Sequence, residues 1–240
     1  MSCRCPVPEH PDSVAVYASS LGCTVRTKVV LVEGTTDVDL FHAAAQLELV
    51  ATGQKLVHDD LCIIAPGEGD LGGTRGVIRE LVCFRGLSRT CLLPNGRPRY
   101  RIVALFDNDK AGRQAVRSAR DLDASLLEFK DLFRLWPVMP LTGNLDPISM
   151  QKLFAKENEP YKNLEWELED LLPDSFVECF LEGVPGAITH STTVNGRTHR
   201  DFTRDGKARL HRFVKQHAIR QDLNPVTAVL KALRCYLGLK

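Results

Sequence analysis

Apolar and polar positions along the first 140 residues follow two periods in turn, one typical of buried strands and one typical of helices. Short apolar runs predict strands at 28–33, 60–66, 101–107 and 132–138. Stretches with helical spacing lie between them, at 37–49, 74–84 and 110–122. This alternation predicts an α/β fold in which helices cover a parallel sheet.

The alternation stops after Pro140. Residues 141–163 resemble a loop with a short helix, and residues 167–183 predict a helical pair interrupted by Pro173. Asn195 and Gly196 form a hairpin turn signal. Two further segments have helical patterns, 205–219 and 225–237.

These patterns divide the chain into three parts. We expect an N-terminal tail over residues 1–26, an α/β domain over 27–140, and a mainly helical C-terminal extension over 141–240 that packs on the α/β core. At 240 residues and 44% hydrophobic content, the chain is long enough to fill an ordinary core.

The apolar runs and the cysteines limit the classes of protein that fit this sequence. No apolar run approaches the roughly 20 residues of a membrane span, and the opening MSCRCPVPEHPDS has no apolar signal-peptide region. We therefore expect a cytoplasmic protein that does not bind a membrane. The eight cysteines are scattered, which favours reduced thiols over a disulfide framework. Cys3, Cys5, Cys23 and His10 are weak candidates for a zinc site, because Cys-x-Cys has no matching second pair.

The net charge is only +1, but acidic and basic residues are unevenly distributed along the chain. Nine acids and one lysine lie between residues 157 and 182, whereas eight basic residues and two acids lie between 197 and 220. Such blocks are either solvated faces or, for the basic one, a surface for a polyanion.

Carboxylates follow the first and third predicted strands. Glu33 ends the first strand and Asp37 begins the next helix, while Asp107 and Asp109 follow the third strand. If these strands are neighbours, the acids converge at the carboxyl edge of the sheet, where they would repel one another without a cation. Helix capping would explain Asp37 and Asp109 but not Glu33 and Asp107. The hard oxygen donors favour Mg²⁺ or Mn²⁺, as one or two ions.

VVLVEGTTD, followed some seventy residues later by IVALFDNDKAG, resembles the TOPRIM domain of bacterial primases, topoisomerases and overcoming-lysogenization-defect (OLD) nucleases. The resemblance covers about residues 28–140, including the glycine-rich turn at 66–73. It implies the Rossmann-like, four-stranded parallel TOPRIM sheet flanked by helices, with Glu33, Asp37, Asp107 and Asp109 as metal ligands and Glu33 also active in proton transfer.

The Glu-x-x-x-Asp spacing of Glu33 and Asp37 is closer to the OLD nucleases, as is ELEDLLP after the fourth strand. That resemblance implies Glu169 as an additional metal ligand, with Glu167 and Asp170 as alternatives. GKARLHRFV resembles the lysine-bearing helix of the same branch and implies a catalytic role for Lys207. The chain has no Walker A sequence, so any ATPase is a separate subunit.

The resemblance implies a Mg²⁺- or Mn²⁺-dependent endonuclease acting on DNA or RNA, with anti-phage defence as one setting. Four arginines are candidates for phosphate binding: Arg75, Arg113, Arg209 and Arg212. The alternatives are a primase-like or RNA-maturation enzyme using the same metals, and a non-catalytic module that binds nucleic acid or a partner. The oligomeric state stays open, a homo-oligomer included.

Overall fold

The computed structural model describes residues 12–67 and 72–239. Within these residues the chain forms an α/β fold, a four-stranded parallel sheet flanked by helices. The strands of the sheet are β1 (Lys28–Leu31), β2 (Leu61–Ile64), β3 (Arg101–Phe106) and β4 (Leu132–Arg134). Their order is β2-β1-β3-β4, so β1 and β3 are hydrogen-bonded neighbours, as the predicted site requires.

Helices connect and follow these strands. Those of the N-terminal half are α1 (Ser13–Ser20), α2 (Thr35–Thr52), α3 (Gly73–Ser88) and α4 (Lys110–Leu122). Those that follow are α5 (Pro147–Glu157), α6 (Asp174–Gly183), α7 (Arg204–His217) and α8 (Asn224–Tyr236). An antiparallel hairpin of β5 (Ile188–Val194) and β6 (Arg197–Phe202) turns at the predicted Asn-Gly pair. No helix of the described residues is long and apolar enough to cross a membrane.

Alternation along the strands sends side chains into two separate cores. Val30 and Val103 belong to the core that contains residues of α2 and α8. Val29 and Ile102 face the other way, into the core with α1, α3 and α4. Apolar residues therefore fill both faces of the strands, as expected for a parallel sheet covered on both sides.

The tail expected over residues 1–26 contains a helix that the sequence analysis missed. Asp12 caps α1 by accepting a hydrogen bond from the Ala15 N–H, and Val14 is fully buried. The Tyr17 hydroxyl donates to Glu80 of α3 at 2.8 Å. Contacts with α3 thus hold α1 in place, and such long-range contacts leave no local signal in the sequence.

Two other predictions need correction. β4 ends at Arg134 rather than at residue 138, and Pro137, which lacks a backbone N–H, follows it closely. The first helix predicted within 167–183 is only one 3₁₀ turn, Leu168–Leu171. This turn precedes Pro173. We call residues 167–170, which include Glu167, Glu169 and Asp170, the acidic turn.

Candidate functional site

The carboxylates predicted at the sheet edge are brought together by the pairing of β1 with β3. Val30 lies opposite Val103 and Leu31 opposite Ala104, so both chains leave the sheet at the same level. The backbone N–H of Asp107 donates a hydrogen bond to Glu33 Oε1 at 3.2 Å. The two residues predicted to follow neighbouring strands are therefore in direct contact.

Asp37 and Asp109 both cap helices that begin at this edge. Asp37 Oδ2 accepts a hydrogen bond at 2.9 Å from the backbone N–H of Gly34, the residue that precedes α2. Asp109 Oδ1 accepts from the Gly112 N–H at 2.6 Å and caps α4. The capping interpretation is correct for these two aspartates. Each cap uses one carboxylate oxygen, and the other accepts no hydrogen bond within the described residues.

Gly112 permits the close approach of α4 to the end of β3. A Cβ atom at this position would lie 1.9 Å from the backbone oxygen of Asp107, a distance that no side chain tolerates. On the β1 side, the Gly73 N–H donates to the Glu33 backbone oxygen at 3.0 Å, which ties the start of α3 to the same edge. The missing side chain of Gly112 therefore sets the distance between α4 and the carboxylates at the end of β3.

The acidic turn is held against the end of β3 by two hydrogen bonds. Leu168 N–H donates to Asp107 Oδ1 at 3.2 Å, and Asn108 N–H donates to the Trp166 backbone oxygen at 2.8 Å. These bonds join segments about 60 residues apart in the chain. They place Glu167 and Glu169 beside the carboxylates of the sheet.

Two side chains of α7, Lys207 and His211, contact the acidic turn. Lys207 Nζ lies 2.7 Å from Glu167 Oε2 and 3.4 Å from Glu169 Oε2. His211 Nε2 lies 3.2 Å from Glu169 Oε1. Glu169 is buried, and each of its two oxygens faces one of these nitrogens. The sequence analysis had not singled out His211, whose spacing of four residues from Lys207 was the available signal.

Asp170 has a structural role in the acidic turn. Its Oδ2 accepts from the Glu167 N–H at 2.8 Å and lies 2.6 Å from His199 Nδ1, and its Oδ1 accepts from the Arg200 N–H at 3.0 Å. Both oxygens are thus engaged by protein groups. Of the three alternatives left open in this segment, Asp170 is the least suited to bind a metal. His199 was not foreseen, because its partner lies 29 residues away in the chain.

Burial and mutual repulsion oppose ionisation of the sheet carboxylates. Burial raises the pKa of Glu33 to about 7, and the negative charges of Asp37 and Asp109 add to this effect. The pKa of Asp37 rises to about 6 because of burial and the charge of Glu169. Asp107 is a half-buried residue. Burial of its carboxylate, together with the charge of Glu33, raises the Asp107 pKa well above the usual range.

In the acidic turn, by contrast, the surroundings of Glu169 favour its ionised form. Burial opposes its ionisation, but the hydrogen bond with His211 and the charge of Lys207 outweigh burial and lower the Glu169 pKa to about 2. Burial likewise opposes the charge on Lys207, yet Glu169 and Glu167 raise the Lys207 pKa above its ordinary value. Glu169 and Lys207 are therefore a charged pair at neutral pH.

The four predicted phosphate-binding arginines occupy different surroundings. Arg75 is exposed in the first turn of α3. Arg209 and Arg212 are exposed on α7, and Arg209 pairs with Asp205 at 2.7 Å. Arg113 is half-buried and donates to the Asn108 backbone oxygen at 3.2 Å and to Glu165 at 2.5 Å, so it also ties α4 to the segment before the acidic turn.

The donor chemistry at this edge fits a hard divalent cation. The carboxylates of Glu33, Asp37, Asp107 and Asp109 supply oxygen ligands only, and within the described residues none of them forms an ion pair with a basic side chain. No group of three or more histidine, cysteine or acidic side chains in the described part is already arranged around a metal position. Binding would require these carboxylates to rotate their unbonded oxygens toward one another.

The weak zinc candidate falls mostly outside the described residues, which exclude Cys3, Cys5 and His10. Cys23 is half-buried, and its Sγ donates to the Ala18 backbone oxygen at 3.3 Å.

Comparison with known proteins adds no relative. No protein-family model, no curated protein and no solved structure matches this chain.

Proposed function

We propose that this protein is a metal-dependent nuclease that hydrolyses phosphodiester bonds in DNA or RNA with a TOPRIM-type site of the OLD branch. The proposal is supported by the order β2-β1-β3-β4 of a parallel sheet and by the position of acidic residues after its two central strands. Acidic side chains at the carboxyl edge of an open α/β sheet lie where such folds bind their ligands.

One observation carries the proposal. Asp107 contacts Glu33 through its backbone N–H and contacts the acidic turn through its side chain, at 3.2 Å in both cases. Three distant stretches of chain thus place carboxylates in one region. Burial and mutual repulsion raise the pKa values of Glu33 and Asp107, so ionising these two groups costs free energy. A divalent cation would offset this cost, because opposite charge favours ionised carboxylates.

Glu33, Asp107 and Asp109 would hold Mg²⁺ or Mn²⁺ at this edge, with Asp37 beside them. When bound, the metal would supply Lewis-acid polarisation of the phosphate and acidification of a water molecule. The resemblance to the OLD nucleases also implies that Glu33 would act in proton transfer.

Residues of α7 would act on the substrate. Lys207 lies in the first turn of α7 with its Nζ beside the acidic turn. From there it would stabilise negative charge that develops on the phosphate during in-line displacement. Arg209 and Arg212 are exposed on the same helix and would contact the nucleic-acid backbone.

The test is cleavage of plasmid, single-stranded DNA and tRNA by the purified full chain in Mg²⁺ or Mn²⁺. We expect wild-type cleavage that is lost on addition of a chelator and in Asp107→Ala. Primer extension from labelled nucleoside triphosphates distinguishes hydrolysis from nucleotidyl transfer. Absence of wild-type cleavage on all three substrates, or equal cleavage by Asp107→Ala, would overturn the proposal.

A further inference from the structure

The carboxylates of this site fall into two groups that differ in what neutralises them. Glu33, Asp37, Asp107 and Asp109, which we call the sheet carboxylates, each accept one hydrogen bond from a backbone N–H. Backbone N–H groups carry no net charge. Within the described residues, no side-chain nitrogen of a lysine, arginine or histidine lies within 4.0 Å of a carboxylate oxygen of these four residues.

The second group, Glu167 and Glu169, is already neutralised by the protein. Lys207 Nζ bridges the two side chains at 2.7 and 3.4 Å, and His211 faces the remaining oxygen of Glu169 at 3.2 Å. The Lys207 side chain is 33% exposed and the Glu169 side chain only 5%, so this ammonium group closes the solvent side of a buried carboxylate.

A divalent ion that bridged Glu167 Oε2 and Glu169 Oε2 would compete with the Lys207 ammonium group for the same position. Magnesium binds carboxylate oxygen at about 2.0–2.1 Å, whereas Lys207 Nζ already lies 2.7 Å from Glu167 Oε2. An ion that bridged Glu167 and Glu169 would therefore overlap the ammonium group and repel it. The position between these two glutamates admits one cation at a time.

We propose that Lys207 is the resident cation of the acidic turn, so that the substrate-free protein binds a single divalent ion, on the sheet carboxylates, and a second ion binds only when Lys207 leaves Glu167 and Glu169. This inference rests on the proposed metal site. A phosphate group of the substrate would draw Lys207 away, since the ammonium group then exchanges one anionic partner for another. Substrate and second ion would bind together.

The experiment counts Mn²⁺ ions on the full chain without substrate, by calorimetric titration and by electron paramagnetic resonance of free and bound Mn²⁺. Wild type is expected to bind one ion. Lys207→Met, which keeps the length of the side chain and removes the charge, is expected to bind two. Two Mn²⁺ ions bound at neighbouring positions would couple magnetically, so the variant's spectrum should show a coupling that the wild-type spectrum lacks.

Lys215 provides the matched control, because it lies on the same helix and pairs with Asp39 at 2.7 Å on the exposed surface. Lys215→Met should bind one ion, like wild type. Lys207→Gln, which retains a hydrogen-bond donor for Glu167, replaces Lys207→Met if the latter does not fold. Adding Glu167→Gln to Lys207→Met removes one of the two carboxylates that would hold the second ion, so the count should return to one.

The outcomes separate this inference from the proposed function. One ion in wild type and two in Lys207→Met supports the inference. Equal counts of one or of two in both proteins would overturn the role of Lys207 and leave the nuclease site in place. No bound Mn²⁺ in either protein would overturn the metal site itself, and the inference with it.

Discussion

Asp107 Oδ1 accepts a hydrogen bond from the backbone N–H of Leu168 at 3.2 Å, although 61 residues separate the two in the chain. This bond fixes the acidic turn to the end of β3. Because the Asp107 N–H also donates to Glu33, one residue connects both central strands to the acidic turn. The arrangement makes Asp107 the position at which stability and the proposed activity oppose each other.

Asp107→Asn is expected to raise the thermal stability of the metal-free protein while abolishing cleavage. Burial and the charge of Glu33 disfavour ionised Asp107, and the amide oxygen of asparagine can still accept from Leu168. We expect a gain of about 1 kcal/mol in the free energy of unfolding. Cleavage should fall more than about 100-fold, beyond the loss typical of residues that only orient a metal ligand.

Thermal unfolding in a chelator and a cleavage assay on the same preparation measure these two effects. Asp121→Asn is the control, since Asp121 is exposed on α4 and should change neither quantity. A variant that is less stable than wild type would contradict the electrostatic argument.

Gly112→Ala is expected to destabilise the fold and misplace the carboxylates. The new Cβ would lie 1.9 Å from the Asp107 backbone oxygen, which belongs to the end of a central strand and cannot move independently. Overpacking of this kind costs about 2–3 kcal/mol. Urea unfolding should show the loss.

Gly86→Ala is the matched control and is expected to stabilise the protein rather than destabilise it. Gly86 lies inside α3, and a Cβ there meets nothing within 4 Å. Alanine should stabilise the helix by roughly 0.4–1 kcal/mol. Similar effects of the two substitutions would mean that the contact of α4 with β3 is looser than described.

His199→Gln is expected to destabilise the protein most at pH below about 6.5. Burial opposes protonation of His199, but its hydrogen bond with Asp170 and the charge of that aspartate outweigh burial and raise the His199 pKa to about 9. A histidine whose pKa in the folded state exceeds its unfolded value of 6.5 makes its full contribution to the free energy of unfolding at pH values below 6.5. The contribution is lost as the pH rises through 9.

Urea unfolding at pH 6 and at pH 9.5 measures this dependence. We expect His199→Gln to lower the free energy of unfolding by about 2 kcal/mol at pH 6 and by clearly less at pH 9.5. His190→Gln, at an exposed position of the same hairpin, is the control and should have little effect at either pH. A pH-independent difference for His199→Gln would rule out an ion pair with Asp170.

Mn²⁺ is expected to stabilise the protein more at pH 8 than at pH 5. The folded-state pKa values of Glu33 and Asp37 are raised, to about 7 and about 6. Ionisation therefore destabilises the metal-free fold as the pH rises through these values. At pH 5 protons compete with the metal for the same oxygens, whereas at pH 8 the carboxylates are ionised and available.

Thermal unfolding with and without Mn²⁺ at both pH values tests this prediction. Glu33→Gln should reduce the stabilisation at pH 8. Equal increases in melting temperature at pH 5 and pH 8 would mean that Mn²⁺ binds elsewhere, at groups already ionised at pH 5.

The sheet and its carboxyl edge could be predicted from the sequence because local patterns specify them. Apolar runs marked all four strands, and acidic residues directly after two of them indicated the edge where side chains meet. The patterns did not show that β1 and β3 are neighbours. That follows from the strand order β2-β1-β3-β4. Local pattern is sufficient when a feature depends on residues close in the chain.

The pairings of His199 and His211 could not be predicted, because each depends on a partner far along the chain. His211 meets Glu169 across 42 residues, and His199 meets Asp170 across 29. Helix α1 escaped prediction for the same reason, as its Tyr17 is anchored to Glu80 across 63 residues. Tertiary contacts of this kind override weak local preference.

The two cores on either side of the sheet limit how far this protein can be shortened. Val30, Val103 and Leu105 pack in one continuous core with Leu230 and Leu233 of α8. Cutting the chain near residue 140 would remove the acidic turn and α8, and would expose apolar side chains of the sheet and of α2 that α8 covers. Exposed apolar patches of this kind favour aggregation. A fragment that keeps both cores therefore has to include α1 at one end and α8 at the other.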